Sequence, residues 1–247
     1  MPADVVILTP GRTGSSLLAR TLHGVGYAVG DATARKRDYD TFEDVELIRL
    51  NERLLAAAGF TADPTVHFSP THFARTADLH AVIDTAPFRA YIAARDRRRP
   101  WLWKDPRLCA TLPFWLPLLG DEVAFVFLRR RLLQVWISAN LRRRVEAPAR
   151  TRAYYRTIER HVLAHLRAHG RDPAVLTVDD LVRAPERFCT RLSATLGRPI
   201  TPADVHRAAD GDVRRLRQGL VDLLKAAAIY AKNAPFTARP AAGDQGP

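Results

Sequence analysis

A short loop rich in glycine and hydroxyl side chains separates two apolar segments near the start of the chain. The apolar run Val5–Leu8 enters this loop, and an amphipathic stretch over residues 16–25 leaves it. The loop supplies a positive charge, three hydroxyl groups and two glycines, which come from Arg12, Thr13, Ser15, Ser16, Gly11 and Gly14. A strand that passes through such a loop into a helix presents unpaired backbone N–H groups to an anion, so the pattern predicts a phosphate site.

The loop differs from the common nucleoside triphosphate loop, GxxxxGK[ST], because no lysine follows Gly14. An ordinary serine-rich helix cap is the alternative without a ligand. The sequence RTGSS resembles the loop that holds the 5′-phosphate of the donor in sulfotransferases that use 3′-phosphoadenosine 5′-phosphosulfate (PAPS). This resemblance implies that the 5′-phosphosulfate of PAPS is bound by Arg12, Thr13, Gly14, Ser15 and Ser16.

A second segment, AFVFLRRRLLQVWISANLRRR, resembles the 3′-phosphate element of the same family. The likeness implies that Arg130 and Ser138 bind the 3′-phosphate of PAPS, with Arg142 as an auxiliary. Ser138 and Arg142 are four residues apart, which places them on one face of a helix. Leucine stands at position 132, where relatives generally have proline, so Arg129 and Arg131 remain alternatives to Arg130. Solvated arginines and a serine bonded to its own helix backbone are the structural alternative.

Further segments extend the likeness over most of the chain. The stretch WLWKDPRLCATLPFWLPLL resembles the KDPR segment of bacterial PAPS-dependent sulfotransferases, and FEDVELIRLNERLL and LTVDDLVRAPERFCTRLSATLG resemble two other family segments. A convincing copy of the C-terminal RKG loop of the cytosolic members is missing. Arg214, Arg215 and Arg217 are the candidates to replace its phosphate contacts.

The resemblance also implies roles in sulfonate transfer. Arg12 would neutralise the bridging oxygen of the departing 5′-phosphate, and Lys104 would polarise the sulfonate. Glu43 is the best match to the family's general base, with His67 and His72 in reserve. We expect no metal to be required, because cationic side chains can stabilise the charge of such a transfer.

Composition excludes several other classes of protein. The 247 residues include 38 basic and 26 acidic side chains, for a formal charge of +12, and 47% apolar residues, which suits a globular core. No nucleic-acid-binding motif accompanies the charge. Residues 108–119, the longest apolar stretch, fall short of the roughly 20 residues of a membrane span. With two cysteines outside any ligand spacing and no secretory signal in residues 1–8, we expect a cytoplasmic protein.

The order of apolar and amphipathic segments predicts the fold class. Short apolar runs predict strands at 5–8, 101–103, 123–128 and 174–178, and amphipathic segments between them predict helices. This alternation favours a three-layer α/β fold with a central, mostly parallel sheet of about four to five strands flanked by helices. The resemblance implies the P-loop-like sulfotransferase version. We expect one domain over residues 1–234 and a flexible tail at 235–247.

Two helix predictions bear on the site. Thr41 and Asp44 have the spacing of a capping box, which predicts that a helix begins there. Glu43 would then lie in the first turn, where the helix dipole favours an acidic residue without any catalytic role. A further helix is predicted over residues 76–95, interrupted at Pro87.

The sequence therefore predicts a PAPS-dependent sulfotransferase with an unidentified small-molecule, carbohydrate or lipid acceptor. Apolar residues on the middle helices, Phe68, Phe73, Trp115 and Tyr154, are expected to line the acceptor pocket. A nucleotide or small-molecule kinase of the P-loop type and a non-catalytic polyanion-binding module are the alternatives. The oligomeric state is left open.

Overall fold

The computed structural model describes residues 3–36, 39–63, 67–142, 145–209 and 219–237. Its centre is a parallel four-stranded sheet in the order β4-β1-β5-β6. The strands are β1 (Val5–Leu8), β4 (Leu102–Lys104), β5 (Ala124–Arg129) and β6 (Ala174–Thr177). Each predicted apolar run thus forms a strand.

Helices cover both faces of this sheet. In the described part of the chain they are α1 (Ser15–Gly24), α2 (Val45–Ala57), α3 (Pro70–Asp78), α4 (Ala86–Asp96), α5 (Leu108–Trp115), α6 (Leu132–Leu141), α7 (Pro148–Ala168), α8 (Val178–Arg183), α9 (Pro185–Leu196), α10 (Pro202–Ala208) and α11 (Leu220–Thr237). None of the helices described there is long and apolar enough to cross a membrane.

Alternate strand residues build two separate cores. Val6 and Leu8 of β1 pack in one apolar cluster with side chains of α2, α5 and α7, whereas Val5 and Ile7 pack in a second cluster with α1 and α9. This division follows from the period of two along a strand, which sends successive side chains to opposite faces. The three-layer α/β fold predicted from the sequence is confirmed.

The predicted helix start at Thr41 is wrong. An antiparallel hairpin, β2 (Thr33–Lys36) and β3 (Tyr39–Asp44), occupies this region. Helix α2 begins only at Val45, because the Asp44 side chain is the cap and accepts a 3.0 Å hydrogen bond from the Glu46 backbone N–H. Glu43 therefore lies on a strand, and the helix dipole does not explain its presence.

The single helix predicted over residues 76–95 is also wrong. The chain forms α3 and α4 instead, and a 3₁₀ turn at Leu79–Ala81 follows α3. Pro87 lies in the first turn of α4, where its missing N–H costs nothing. Of the predicted tail at 235–247, α11 includes the residues up to Thr237, and the rest lies outside the described residues, as do Arg214, Arg215 and Arg217.

A buried polar network fixes the turn that follows β4. Asn51 of α2 donates through Nδ2 to Oδ2 of Asp105 at 2.8 Å. Its Oδ1 accepts from Thr111 Oγ1 and Trp115 Nε1 of α5, each at 2.8 Å. Asp105 Oδ1 in turn accepts from the Arg107 backbone N–H at 3.0 Å. Because Asn51 and Asp105 are fully buried, water cannot replace these bonds.

We expect Asn51→Ala to lower the free energy of unfolding by about 2–4 kcal/mol, because it leaves several buried polar groups without a partner. Urea denaturation measures this loss. Asn233→Ala is the matched control, since the Asn233 side chain donates to the Ile229 carbonyl within its own helix, α11. Its effect should stay within about 0.5 kcal/mol. Equal effects of the two variants would contradict the structural role of the network.

Candidate functional site

A cavity of about 720 Å³ lies at the carboxyl ends of β1, β4 and β5. In a parallel sheet these ends meet at one edge, where ligand sites of α/β proteins assemble. The residues that line the cavity come from the ends of these strands and the loops after them, from the start of α1, from the hairpin and from α6 and its end. They are Gly11, Arg12, Gly14, Ser15, Ser16, Leu17, Lys36, Tyr39, Thr41, Glu43, Lys104, Pro106, Arg107, Arg130, Ser138 and Arg142.

Most of the residues singled out in the sequence meet in this cavity. Those that line it are Arg12, Gly14, Ser15, Ser16, Glu43, Lys104, Arg130, Ser138 and Arg142. Thr13 does not line it: the residue is fully buried, and its Oγ1 lies 2.5 Å from Thr9 Oγ1. The structure thus brings the two predicted phosphate elements, which are more than a hundred residues apart, to a single cavity.

Arg130 alone of the three consecutive arginines lines the cavity. Arg129 forms an ion pair with Glu159 of α7, and Arg131 forms one with Asp179 of α8. Burial lowers the pKa of Arg130, and Asp179 and Tyr155 partly offset this effect. A charged group placed at a partly dehydrated position interacts more strongly with a ligand of opposite charge.

The loop after β1 has an unusual backbone conformation. Gly11, Arg12 and Gly14 all have positive φ, of 87°, 58° and 79°. Glycine adopts this region freely, whereas Arg12 is held in it by its surroundings. Arg130 Nη1 donates to the Arg12 carbonyl at 3.1 Å, and the Gly11 backbone N–H donates to Thr9 Oγ1 at 3.1 Å.

Lys104 joins three elements at one nitrogen atom. Its Nζ donates to Glu43 Oε1 at 2.5 Å, to the Thr41 carbonyl at 3.1 Å and to Ser16 Oγ at 3.3 Å. The Lys104 side chain is only 3% exposed and that of Glu43 15%. All three hydrogens of the ammonium group have an acceptor, which is what such burial of a charge requires.

The hairpin brings residues to the cavity that the sequence analysis did not identify. Two cations lie near the Tyr39 ring, with Arg142 5.6 Å and Lys36 5.9 Å from its centre. Arg142 Nη1 also lies 3.4 Å from Tyr39 Oη. Phe42, with φ of 57°, separates Thr41 from Glu43 within β3. No local sequence signal marks these residues, because the hairpin itself resembles a polar loop.

The reserve histidines lie outside this cavity. His67 contacts the Arg150 guanidinium of α7, and the His72 ring packs edge-on against Phe60. The apolar residues expected in an acceptor pocket are likewise not among the lining residues. Phe73 and Trp115 belong to the core, and Phe68, which precedes α3, and Tyr154 of α7 pack against it.

Comparison with known proteins identifies a structural neighbour. No protein-family model and no curated protein matches the chain. Among solved structures, the sulfotransferase domain from the Synechococcus PCC 7002 olefin synthase is similar, with a TM-score of 0.50 and 20% sequence identity. The alignment covers 92% of this chain and 94% of that chain. The chain therefore has a sulfotransferase-like fold.

The buried ion pair leads to a stability prediction. Lys104→Met leaves the Glu43 carboxylate without its cation, and we expect a loss of about 3–5 kcal/mol in the free energy of unfolding. Adding Glu43→Gln to that variant should restore part of the loss, because the isolated charge is then removed. Urea denaturation of the two single variants and the double variant measures the coupling. Strictly additive losses would show that the two charges do not interact.

Proposed function

We propose that the chain is a PAPS-dependent sulfotransferase. It transfers the sulfonate group of PAPS to a hydroxyl or amine of a small-molecule, carbohydrate or lipid acceptor. The observation that carries this proposal is that Ser16 and Ser138, one from each predicted phosphate element, line the same cavity. The donor carries phosphate groups at two ends of one nucleoside, so its binding requires two anion sites in a single cavity.

The two ends of the donor have different partners in this proposal. Arg130, Ser138 and Arg142 bind the 3′-phosphate. The 5′-phosphosulfate is bound by the backbone of residues 12–16, by the start of α1 and by the Arg12 side chain. Guanidinium groups suit this task because their fork of N–H donors matches the oxygen geometry of a phosphate. Thr13 contributes through its backbone, since its hydroxyl is turned toward Thr9.

Sulfonate transfer proceeds by in-line displacement. The acceptor oxygen forms a bond to sulfur while the bond between sulfur and the bridging oxygen breaks, and its electron pair leaves with the 5′-phosphate. Arg12 stabilises the charge that develops on that oxygen, and Lys104 stabilises the sulfonate oxygens. Adenosine 3′,5′-bisphosphate and the sulfated acceptor are the products.

Glu43 accepts the proton of the acceptor hydroxyl in this scheme. Its carboxylate contacts Lys104, so the base and the group that polarises the sulfonate are neighbours. A general base must lie within hydrogen-bond reach of the proton that it removes. Because Glu43 contacts Lys104, an acceptor hydroxyl that attacks a sulfonate held by Lys104 lies within reach of the Glu43 carboxylate. The two reserve histidines are absent from the lining of the cavity.

The proposal predicts how the 3′-phosphate element contributes to binding of adenosine 3′,5′-bisphosphate. Arg130→Ala removes a charge-assisted contact and should weaken binding about 10- to 100-fold, and Ser138→Ala about 3- to 10-fold. Isothermal titration calorimetry measures both. Arg131→Ala is the matched control, because Arg131 pairs with Asp179 away from the cavity.

Other outcomes of this titration favour other functions. If the folded protein does not bind the bisphosphate and instead binds ATP only with magnesium, a kinase is favoured. Binding that depends steeply on salt without selectivity for the nucleotide favours a polyanion-binding module.

A second prediction concerns the base. Glu43→Gln keeps the size and polarity of the side chain but cannot take a proton, so turnover should fall by about 100- to 10,000-fold while bisphosphate affinity is kept. Release of adenosine 3′,5′-bisphosphate from PAPS, with a panel of alcohols and phenols as acceptors, measures turnover. Glu46→Gln on the exposed face of α2 is the control. Full activity of Glu43→Gln would assign the proton to another group.

A further inference from the structure

The side chain of Tyr155 on helix α7 contacts the loop after β1. The Tyr155 hydroxyl donates a hydrogen bond to the carbonyl oxygen of Gly11. Tyr155 belongs to neither of the two phosphate elements recognised in the sequence, and it follows the loop by 144 residues. The contact therefore joins a third region of the chain to the candidate site.

The contact falls on the part of the loop where the backbone is most unusual. Gly11 and Arg12 are consecutive residues with positive φ. Both of their carbonyl groups accept hydrogen bonds from distant side chains: Gly11 from Tyr155 and Arg12 from Arg130. Two side chains from distant parts of the chain thus hold two adjacent peptide groups.

Because each peptide group is planar, these contacts also fix the directions of N–H groups in the loop. The carbonyl of one residue and the N–H of the next belong to the same rigid plane and point in opposite directions. A bond to the Gly11 carbonyl therefore sets the direction of the Arg12 N–H. A bond to the Arg12 carbonyl does the same for the Thr13 N–H. These N–H groups belong to the stretch that binds the 5′-phosphate in the proposed function.

An ion pair to the end of β5 holds helix α7, and with it Tyr155, beside the loop. Glu159 lies four residues after Tyr155, on the same face of the helix, and forms an ion pair with Arg129 at the end of β5. Tyr155 also lies near Arg130, where it offsets a small part of the lowering of the Arg130 pKa by burial. The end of β5, the loop and α7 are consequently linked behind the cavity.

We propose that Tyr155 is a positioning residue for the 5′-phosphate: its hydroxyl fixes the peptide group between Gly11 and Arg12, so that the Arg12 N–H faces the anion. This inference rests on the proposed function. It assigns α7 to the donor site through its effect on the loop, without direct contact between Tyr155 and the donor.

Two ligands that differ by one phosphate test the inference. Adenosine 3′,5′-bisphosphate uses the loop, whereas adenosine 3′-monophosphate has the same nucleoside and the same 3′-phosphate but no 5′-phosphate. Tyr155→Phe removes only the hydroxyl and keeps the ring. We expect the affinity for the bisphosphate to fall about 3- to 10-fold, in line with the loss of one hydrogen bond, and the affinity for the monophosphate to stay within twofold.

The neighbouring tyrosine provides a matched control. Tyr154 packs against the apolar core, and Tyr154→Phe should leave both affinities unchanged. Calorimetric titration of each variant gives the affinities, and thermal unfolding verifies that Tyr155→Phe is folded. If that variant fails to fold, Tyr155→Leu, which has no hydrogen-bond donor in its side chain, is titrated with the same two ligands, and the same selective loss is expected.

The possible contradictions are distinct. Equal loss of affinity for the two ligands would show that Tyr155 supports the cavity in general, and unchanged bisphosphate binding would show that its hydroxyl has no role. Either result overturns the inference while the wild-type protein still binds the bisphosphate. A wild-type protein that does not bind the bisphosphate contradicts the proposed function as well.

Discussion

The buried ammonium group of Lys104 is the constraint on which the candidate site depends. A charge with so little exposure is tolerated only when every N–H finds an acceptor, and the three acceptors come from two other elements. Strand β4 supplies the lysine, helix α1 supplies Ser16, and strand β3 supplies Thr41 and Glu43. Closing this set of bonds therefore requires the loop after β1, the hairpin and the sheet to be correctly assembled.

The direction of the strands explains why these elements meet. Parallel strands place all of their carboxyl ends at one edge, so the loops after β1, β4 and β5 converge there whatever their separation in the sequence. A larger cavity, of about 1040 Å³, lies at the opposite edge, near the starts of β5 and β6. Ala124 and Phe125, at the start of the second predicted phosphate element, line it, but none of the residues predicted to contact the donor does. Cavity volume alone therefore does not select the cavity that holds the predicted donor-binding residues.

Features of local origin were predictable from the sequence. The strands of the sheet are short apolar runs, and the loop after β1 combines glycines with hydroxyl groups between a strand and a helix. The alternation of strands and helices predicts that the strands run parallel, and this shared direction is enough to bring Arg12 and Arg130 to the same edge of the sheet. Only the resemblance identifies Glu43 as a candidate base. Its predicted position in a helix is wrong, because Thr41 and Asp44 have the spacing of a helix cap although the segment forms a hairpin strand.

Features that arise from contacts between distant segments were not predictable. The polar sequence of β2 and β3 gives no apolar alternation, so the strands are specified by their pairing and by the contact of Glu43 with Lys104. Tyr155 is one of two adjacent tyrosines on an amphipathic helix, and its bond to Gly11 depends on how α7 lies against the end of β5. Every residue type has a backbone carbonyl, so the residue that accepts such a hydrogen bond can be of any type. Such a contact leaves no motif in either segment, which is why the residues that orient a binding loop are harder to find than those that bind.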